Sequence, residues 1–190
     1  MSNALILFAT RHGQTERIAL HIAKVLADGA MNVDLIDLGR MRSSPALDGY
    51  PLVVVAGAIH FGRHPRVLER FVTRNRAALD AVEAVLVSVS NASISPEGEK
   101  EAERYVTELT KRTGWTPRRT LLAAGAIRYT RYNVFLRWLM RRIAVTHGRG
   151  ADTARDYEYT YWPEVEEFAR VLLEAHAPAA RRAASIAPSM

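Results

Sequence analysis

Three short segments of this chain are apolar without interruption: 4–9 (ALILFA), 52–58 (LVVVAGA) and 84–89 (AVLVSV). Strict alternation would mark a strand with one wet face, whereas unbroken runs of strand length mark strands buried on both faces. Two further strands are read at 33–38 and 120–127. Between them lie segments of helical periodicity. Ile18, Ile22, Val25 and Leu26 share one face, with Gly29 as a stop, and 66–79 carries Val67, Leu68, Phe71 and Val72. Ser95-Pro96-Glu97 is a helix opening for a segment reaching about Thr113, and 161–175 places Val165, Phe168, Ala169 and Leu172 on one side. Strand and helix in alternation predict a parallel sheet covered on both faces. Five strands in a chain of 190 residues favour a doubly wound α/β sheet of order 2-1-3-4-5. One domain over 1–177 is expected, with an insertion at 128–155 and a disordered Ala/Arg/Ser/Pro tail at 178–190.

Composition narrows the chemistry. The chain has no cysteine, so thiolate catalysis, disulfides and cysteine-held clusters are excluded; redox activity would require a bound organic cofactor or another kind of metal site, and no metal site is read. The first eight residues are too short for a signal peptide and lack a basic leader. No stretch approaches the ~20 apolar residues needed to span a bilayer, so the default expectation is a cytoplasmic protein.

In a doubly wound sheet, ligands bind at the C-terminal strand edge beside the switch point. The turn there after the first strand is Thr10-Arg11-His12-Gly13-Gln14-Thr15. It would offer a phosphate free backbone N–H groups, the positive end of a helix dipole and two hydroxyls, with Gly13 permitting close approach. The alternative is an ordinary βα turn with Thr15 as helix cap. The segment is neither a Walker A loop nor a G-x-G-x-x-G motif.

Thr-x-x-Gly-x-Thr directly after the first strand resembles the FMN phosphate loop of flavodoxins, with His12 standing where that pattern has a hydroxyl residue. The resemblance implies a flavodoxin-like fold with FMN as cofactor. It places the flavin ring between the loops after strands three and four, here Ala58-Ile59-His60-Phe61-Gly62 and Ser88-Val89-Ser90-Asn91-Ala92. Phe61 can stack on one ring face, or else belong to the core. The second loop has no aromatic residue, which leaves one face open and suits an enzyme that admits a substrate.

The 128–155 insertion carries the localised charge. Arg128, Arg131, Arg137, Arg141, Arg142 and Arg149 fall in it, with no acidic residue between Arg128 and Ala151, against a net charge of +6 for the chain. In 133–145, Leu136, Leu139, Met140 and Ile143 share a face, while Arg137, Arg141 and Arg142 flank Trp138. Such a helix suits a membrane interface or an apolar polyacid, or it packs its leucines and solvates its arginines.

The order AGAIRYTRY, then a basic amphipathic helix, then Gly-x-x-x-Asp-Thr and Tyr-Thr-x-Trp resembles the menaquinone-dependent protoporphyrinogen IX dehydrogenases, flavodoxin-like enzymes of haem biosynthesis. His60-Phe61 departs from the Arg-Tyr expected in that family. The resemblance implies oxidation of protoporphyrinogen IX to protoporphyrin IX, with FMN N5 carrying the chemistry and a membrane quinone, menaquinone or ubiquinone, accepting electrons. Which side chains are catalytic is left open. Arg128 and Arg131 are the candidates for the substrate's propionates, since a guanidinium matches a carboxylate fork. Residues 131–149 are the candidate contact with the inner face of the cell membrane. An NAD(P)H:quinone or flavin reductase and a non-enzymatic flavodoxin-type electron carrier stay open as alternatives; nucleic-acid binding is disfavoured, because the arginines accompany a broad apolar face.

Overall fold

The uninterrupted apolar runs form the middle of a parallel sheet. The computed structural model describes residues 2–94, 96–127 and 157–176. The chain order is β1 (Asn3–Ala9), α1 (Gln14–Asp28), β2 (Asn32–Asp37), β3 (Leu52–Ala58), α2 (Arg66–Arg74), α3 (Arg76–Asp80), β4 (Glu83–Ser90), a 3₁₀ turn (Ala92–Ile94), α4 (Pro96–Thr113), β5 (Thr120–Ala124), β6 (Ala126–Ile127), β7 (Tyr157–Glu158) and α5 (Trp162–His176). Strands β1 to β5 pair in the order β2-β1-β3-β4-β5, as the strand spacing predicts. The insertion with Arg128 and Arg131, the 131–149 helix face, the Ser95 cap and the 178–190 tail lie outside the described residues.

Side chains alternate across each strand, so the two sheet faces feed two cores. Ile6, Phe8, Val54 and Val87 meet Ile18, Ile22 and Leu26 of α1 and Val165, Ala169 and Leu172 of α5. On the other face Leu5, Leu7, Val53, Val55 and Leu86 meet Leu68, Phe71 and Val72 of α2, Leu79 of α3 and Leu109 of α4. Burial of each such side chain stabilises the fold by ~1.5–3 kcal/mol, and the sheet edge is thereby made a rigid base for its loops.

Four local readings need correction. The 66–79 helix is interrupted at Asn75, whose side-chain amide donates to the Phe71 carbonyl at 2.8 Å and separates α2 from α3. Strand five stops at Ala124, because Gly125 turns to donate to the Ser90 carbonyl and accept from Tyr159 N–H. Residues 126–127 then pair antiparallel with 157–158 in a separate ladder. Ser88, Val89 and Ser90 are strand and not loop: Val89 pairs with Ala58 on one side and Ala123 on the other, and Ser90 with Ala124. Finally, Gly13, not Thr15, is the cap of α1.

Candidate active site at the C-terminal edge of the sheet

Loops from β1, β3, β4 and β5 gather at one rim. The first, 10–13, ends in Gly13 with φ +84°, the left-handed region that glycine enters without steric cost, and the helix begins at the next residue. The Gly13 N–H donates to Thr10 Oγ1 at 2.9 Å, which closes the turn. No side chain caps α1, so its first-turn N–H groups are left facing the rim with the positive end of the dipole. Thr15 is fully buried beneath this turn, and its hydroxyl has no hydrogen-bond partner among the described residues. A buried, unpaired hydroxyl costs about 1–3 kcal/mol. An anion's oxygen in the turn would supply the missing partner, so the residues present fit a phosphate group.

Gln14 behaves differently from its neighbours. Its side-chain amide donates to Thr160 Oγ1 at 2.8 Å and Glu158 Oε1 at 3.2 Å, while Thr160 donates to the Ala124 carbonyl at 2.7 Å. The side chain therefore ties the start of α1 to the strap 157–160, and only its backbone N–H is available to a ligand. Burial would raise the Glu158 carboxyl, but Arg17, Gln14 and the Trp162 indole together hold it below its ordinary value. Arg17 also lies over the Trp162 ring, 5.5 Å from its centroid. Sequence reasoning missed Glu158, Thr160 and Arg17 as the brace of the rim; the only local signal was the polar cluster around Tyr-Thr-x-Trp.

The loop after β3 is a two-residue hairpin. His60 N–H donates to the Arg63 carbonyl at 3.0 Å and Arg63 N–H to the His60 carbonyl at 3.2 Å. Phe61 and Gly62 occupy the two central positions with φ +51° and +77°, the signature of a type I′ turn. Gly62 suits its position. Phe61 does not: a left-handed conformation costs a side-chain-bearing residue roughly 1–2 kcal/mol, and this ring is 88% exposed, so little burial offsets it. Strain at an exposed aromatic points to use of the ring by a ligand. Phe61 is not a core residue.

Beside it, the His60 ring meets the His12 ring edge to face, 5.6 Å between centroids, which joins the first and third loops. Burial, reinforced by the neighbouring His12 and by the Arg11 guanidinium, lowers the His60 pKa to about 4. The imidazole is neutral at pH 7, and its Nε2 is buried without a partner among the described residues. It offers a hydrogen bond without a charge. Ala58 ends β3 half-buried, and Ile59 donates to the Val89 carbonyl at 2.8 Å, which fixes the spacing of the β3 and β4 loops.

Of the second wall, Asn91 and Ala92 have left the strand, Ala92 opening the 3₁₀ turn. Ser88 Oγ lies 3.2 Å from His64 Nε2 in the interior, and Ser90 Oγ accepts from Ser93 N–H and contacts Ser93 Oγ at 2.9 Å. Both hydroxyls are thus engaged within the protein. The described rim therefore gathers Thr10 through Thr15, the 58–62 hairpin and Asn91. Arg128 and Arg131 lie outside the described residues.

The flavodoxin-domain family model matches residues 5–154. Among curated proteins, the protoporphyrinogen IX dehydrogenase (quinone) of Escherichia coli K12 is 30% identical over 167 residues, spanning 87% of this chain and 92% of the relative. A protein of the same name from Leishmania major is 28% identical over 167 residues, 87% of this chain and 72% of its own length. Among solved structures, a WrbA-like flavodoxin from Agrobacterium tumefaciens superposes with a TM-score of 0.50 at 13% identity, covering 96% of this chain and 99% of that one. That structural likeness speaks for the fold alone.

Proposed function

The chain belongs to the flavodoxin-domain oxidoreductases that include the quinone-dependent protoporphyrinogen IX dehydrogenases, and from that premise we propose that it oxidises protoporphyrinogen IX to protoporphyrin IX with FMN as cofactor and a membrane quinone as acceptor. The observation that carries the cofactor is the buried, unpartnered Thr15 hydroxyl under an uncapped helix start. A phosphate there would meet the Thr15 and Thr10 hydroxyls and backbone N–H groups of the turn other than that of Gly13, which is held by Thr10; this favours the mononucleotide over phosphate-free riboflavin. When bound, the flavin supplies two-electron chemistry. Removal of six electrons and six protons from the porphyrinogen requires three rounds, so one substrate reduces three quinones to quinols.

The protein's own part is to bind, orient and exclude. Phe61 offers a rigid aromatic face on one side of the ring position, and Asn91, with no aromatic beside it, leaves the other side accessible to a broad macrocycle. His60, uncharged, adds no positive charge to the rim. Arg128 and Arg131 are assigned to the substrate's propionates, and residues 131–149, with Trp138 among arginines, to the membrane surface. No helix among the described residues is long and apolar enough to cross a membrane, so access to a lipid-borne quinone is assigned to surface contact.

Anaerobic mixing of the purified yellow protein with protoporphyrinogen IX is expected to bleach the flavin, and added quinone to restore it. Bleaching by NADPH but not by the porphyrinogen would transfer the protein to the reductase reading. The double variant Arg128→Ala/Arg131→Ala is expected to raise KM strongly at unchanged FMN content; unchanged kinetics would remove both residues from the substrate site.

A further inference from the structure

The hairpin that carries Phe61 is anchored by a charge arrangement that neither the fold nor the phosphate turn requires. Arg63, the closing residue of the hairpin, donates from Nη2 to Glu69 Oε2 at 2.6 Å. Arg112, near the end of α4, donates from Nε to Glu69 Oε1 at 3.1 Å. Each carboxylate oxygen is therefore held by a different guanidinium, one from the loop and one from the neighbouring helix. The Glu69 side chain is only 12% exposed, so solvent screens this pair of contacts less than an open surface pair. Tyr105 of α4 backs the turn, its Cε1 lying 3.9 Å from where a Cβ on Gly62 would stand.

We propose that Glu69 is a positioning residue for the cofactor site: by gripping Arg63 and Arg112 together it fixes the direction in which the β3 hairpin presents Phe61. The proposal rests on the reading of Phe61 as a wall of the flavin site. Its physical basis is that a left-handed, exposed residue persists only where its surroundings over-determine it. Two backbone hydrogen bonds define the turn, but they do not fix how the whole hairpin leans over the rim. The incoming side of the hairpin is fastened by Ile59 N–H on the Val89 carbonyl, and the outgoing side by Arg63. The charge balance gives the sign of the effect. Glu69 shares a groove of about 470 Å³ with Arg63, Arg66, Arg70, Arg74 and Arg112, and it is the one acid among these five arginines. Neutralising it leaves Arg112 with Glu108 alone, 3.5 Å from its Nη1, and takes from Arg63 the carboxylate that the two arginines share. Repulsion then displaces Arg63, and the hairpin moves with it.

The test is a double-mutant cycle on the full chain, using FMN itself as probe. Apoprotein of wild type, Phe61→Ala, Glu69→Gln and the double variant is titrated with FMN, and the emission of the bound flavin is recorded. Loss of one stacked aromatic is expected to weaken FMN binding by about two- to tenfold and to shift the emission maximum of the bound flavin toward that of free FMN in water. Glu69→Gln is expected to shift both readouts in the same direction, and the double variant to go no further than Phe61→Ala alone. A Glu69→Gln protein with wild-type affinity and emission, beside a shifted Phe61→Ala, overturns the positioning role and leaves the wall intact. An equal added loss on the Phe61→Ala background overturns it too, since Glu69 would then act by another route. If Phe61→Ala itself changes nothing, the wall falls and the proposal with it. Should Glu69→Gln fail to fold, Arg112→Gln removes one grip while keeping the Arg63–Glu69 pair; an intermediate, Phe61-dependent shift supports the proposal, and none refutes it.

Discussion

Replacing Phe61 by asparagine separates what the fold wants from what the site wants. In the free protein the ring is 88% exposed and makes little contribution to the core, while its backbone sits at φ +51°. Asparagine tolerates the left-handed region and is favoured at this position of a type I′ turn. The substitution should therefore recover much of a cost of roughly 1–2 kcal/mol. For a protein of this size each kcal/mol moves the melting temperature by about 2–4 °C, so the apoprotein of Phe61→Asn should melt a few degrees higher than wild type. FMN binding should move the other way. A stacked aromatic contact contributes about 0.5–1.5 kcal/mol beyond its area, which corresponds to an affinity loss of about two- to tenfold. Calorimetric melts of the apoproteins and FMN titration by fluorescence read the two effects independently. An unchanged or lower apoprotein melting temperature would show that the turn stores no strain. Unchanged FMN affinity would show that Phe61 does not meet the ring.

Two further substitutions probe buried polar groups. Thr15→Val removes a hydroxyl that has no partner among the described residues, so the apoprotein should gain about 1 kcal/mol while FMN affinity drops by about tenfold; a destabilised apoprotein with normal FMN binding would contradict the anion reading. His64 is almost fully buried, and burial, with the Arg112 charge, lowers its pKa to about 4. The unfolded chain binds the proton more readily than the native state, so this contribution is complete above pH 6.5 and is lost as pH falls toward 4. The loss amounts to roughly 3 kcal/mol. Urea midpoints measured across that window should fall less steeply in His64→Gln, and identical slopes would remove His64 as a cause of acid sensitivity.

Much of the architecture could be read from the chain because it depends on local pattern. Unbroken apolar runs such as LVVVAGA have one good solution, a strand covered on both sides, and alternation with helices then restricts the order. The position of the β1–α1 turn was legible for the same reason, since residues 10–13 fall at a known point of the topology. What escaped depends on partners distant in sequence. Ser90 lies one residue beyond the apolar run 84–89, yet the ladder continues through it to pair with Ala124, and its hydroxyl is engaged by Ser93. The brace from Gln14 to Thr160 spans 146 positions. No propensity places a phenylalanine in the left-handed position of a tight hairpin, because turn statistics favour asparagine and glycine there. Its strain becomes visible only in three dimensions, as does the grip of Glu69 on two arginines from different elements.

Cofactor binding at this rim depends above all on an anion seated at the β1–α1 turn. Parallel titration of the apoprotein with FMN and with riboflavin isolates that claim, since the two ligands share the ring and differ in the phosphate. Charge-assisted hydrogen bonds contribute about 1.5–3 kcal/mol each, so two of them predict a preference for FMN of at least about a hundredfold. Equal affinity for the two ligands, or a colourless protein that takes up neither, would contradict it.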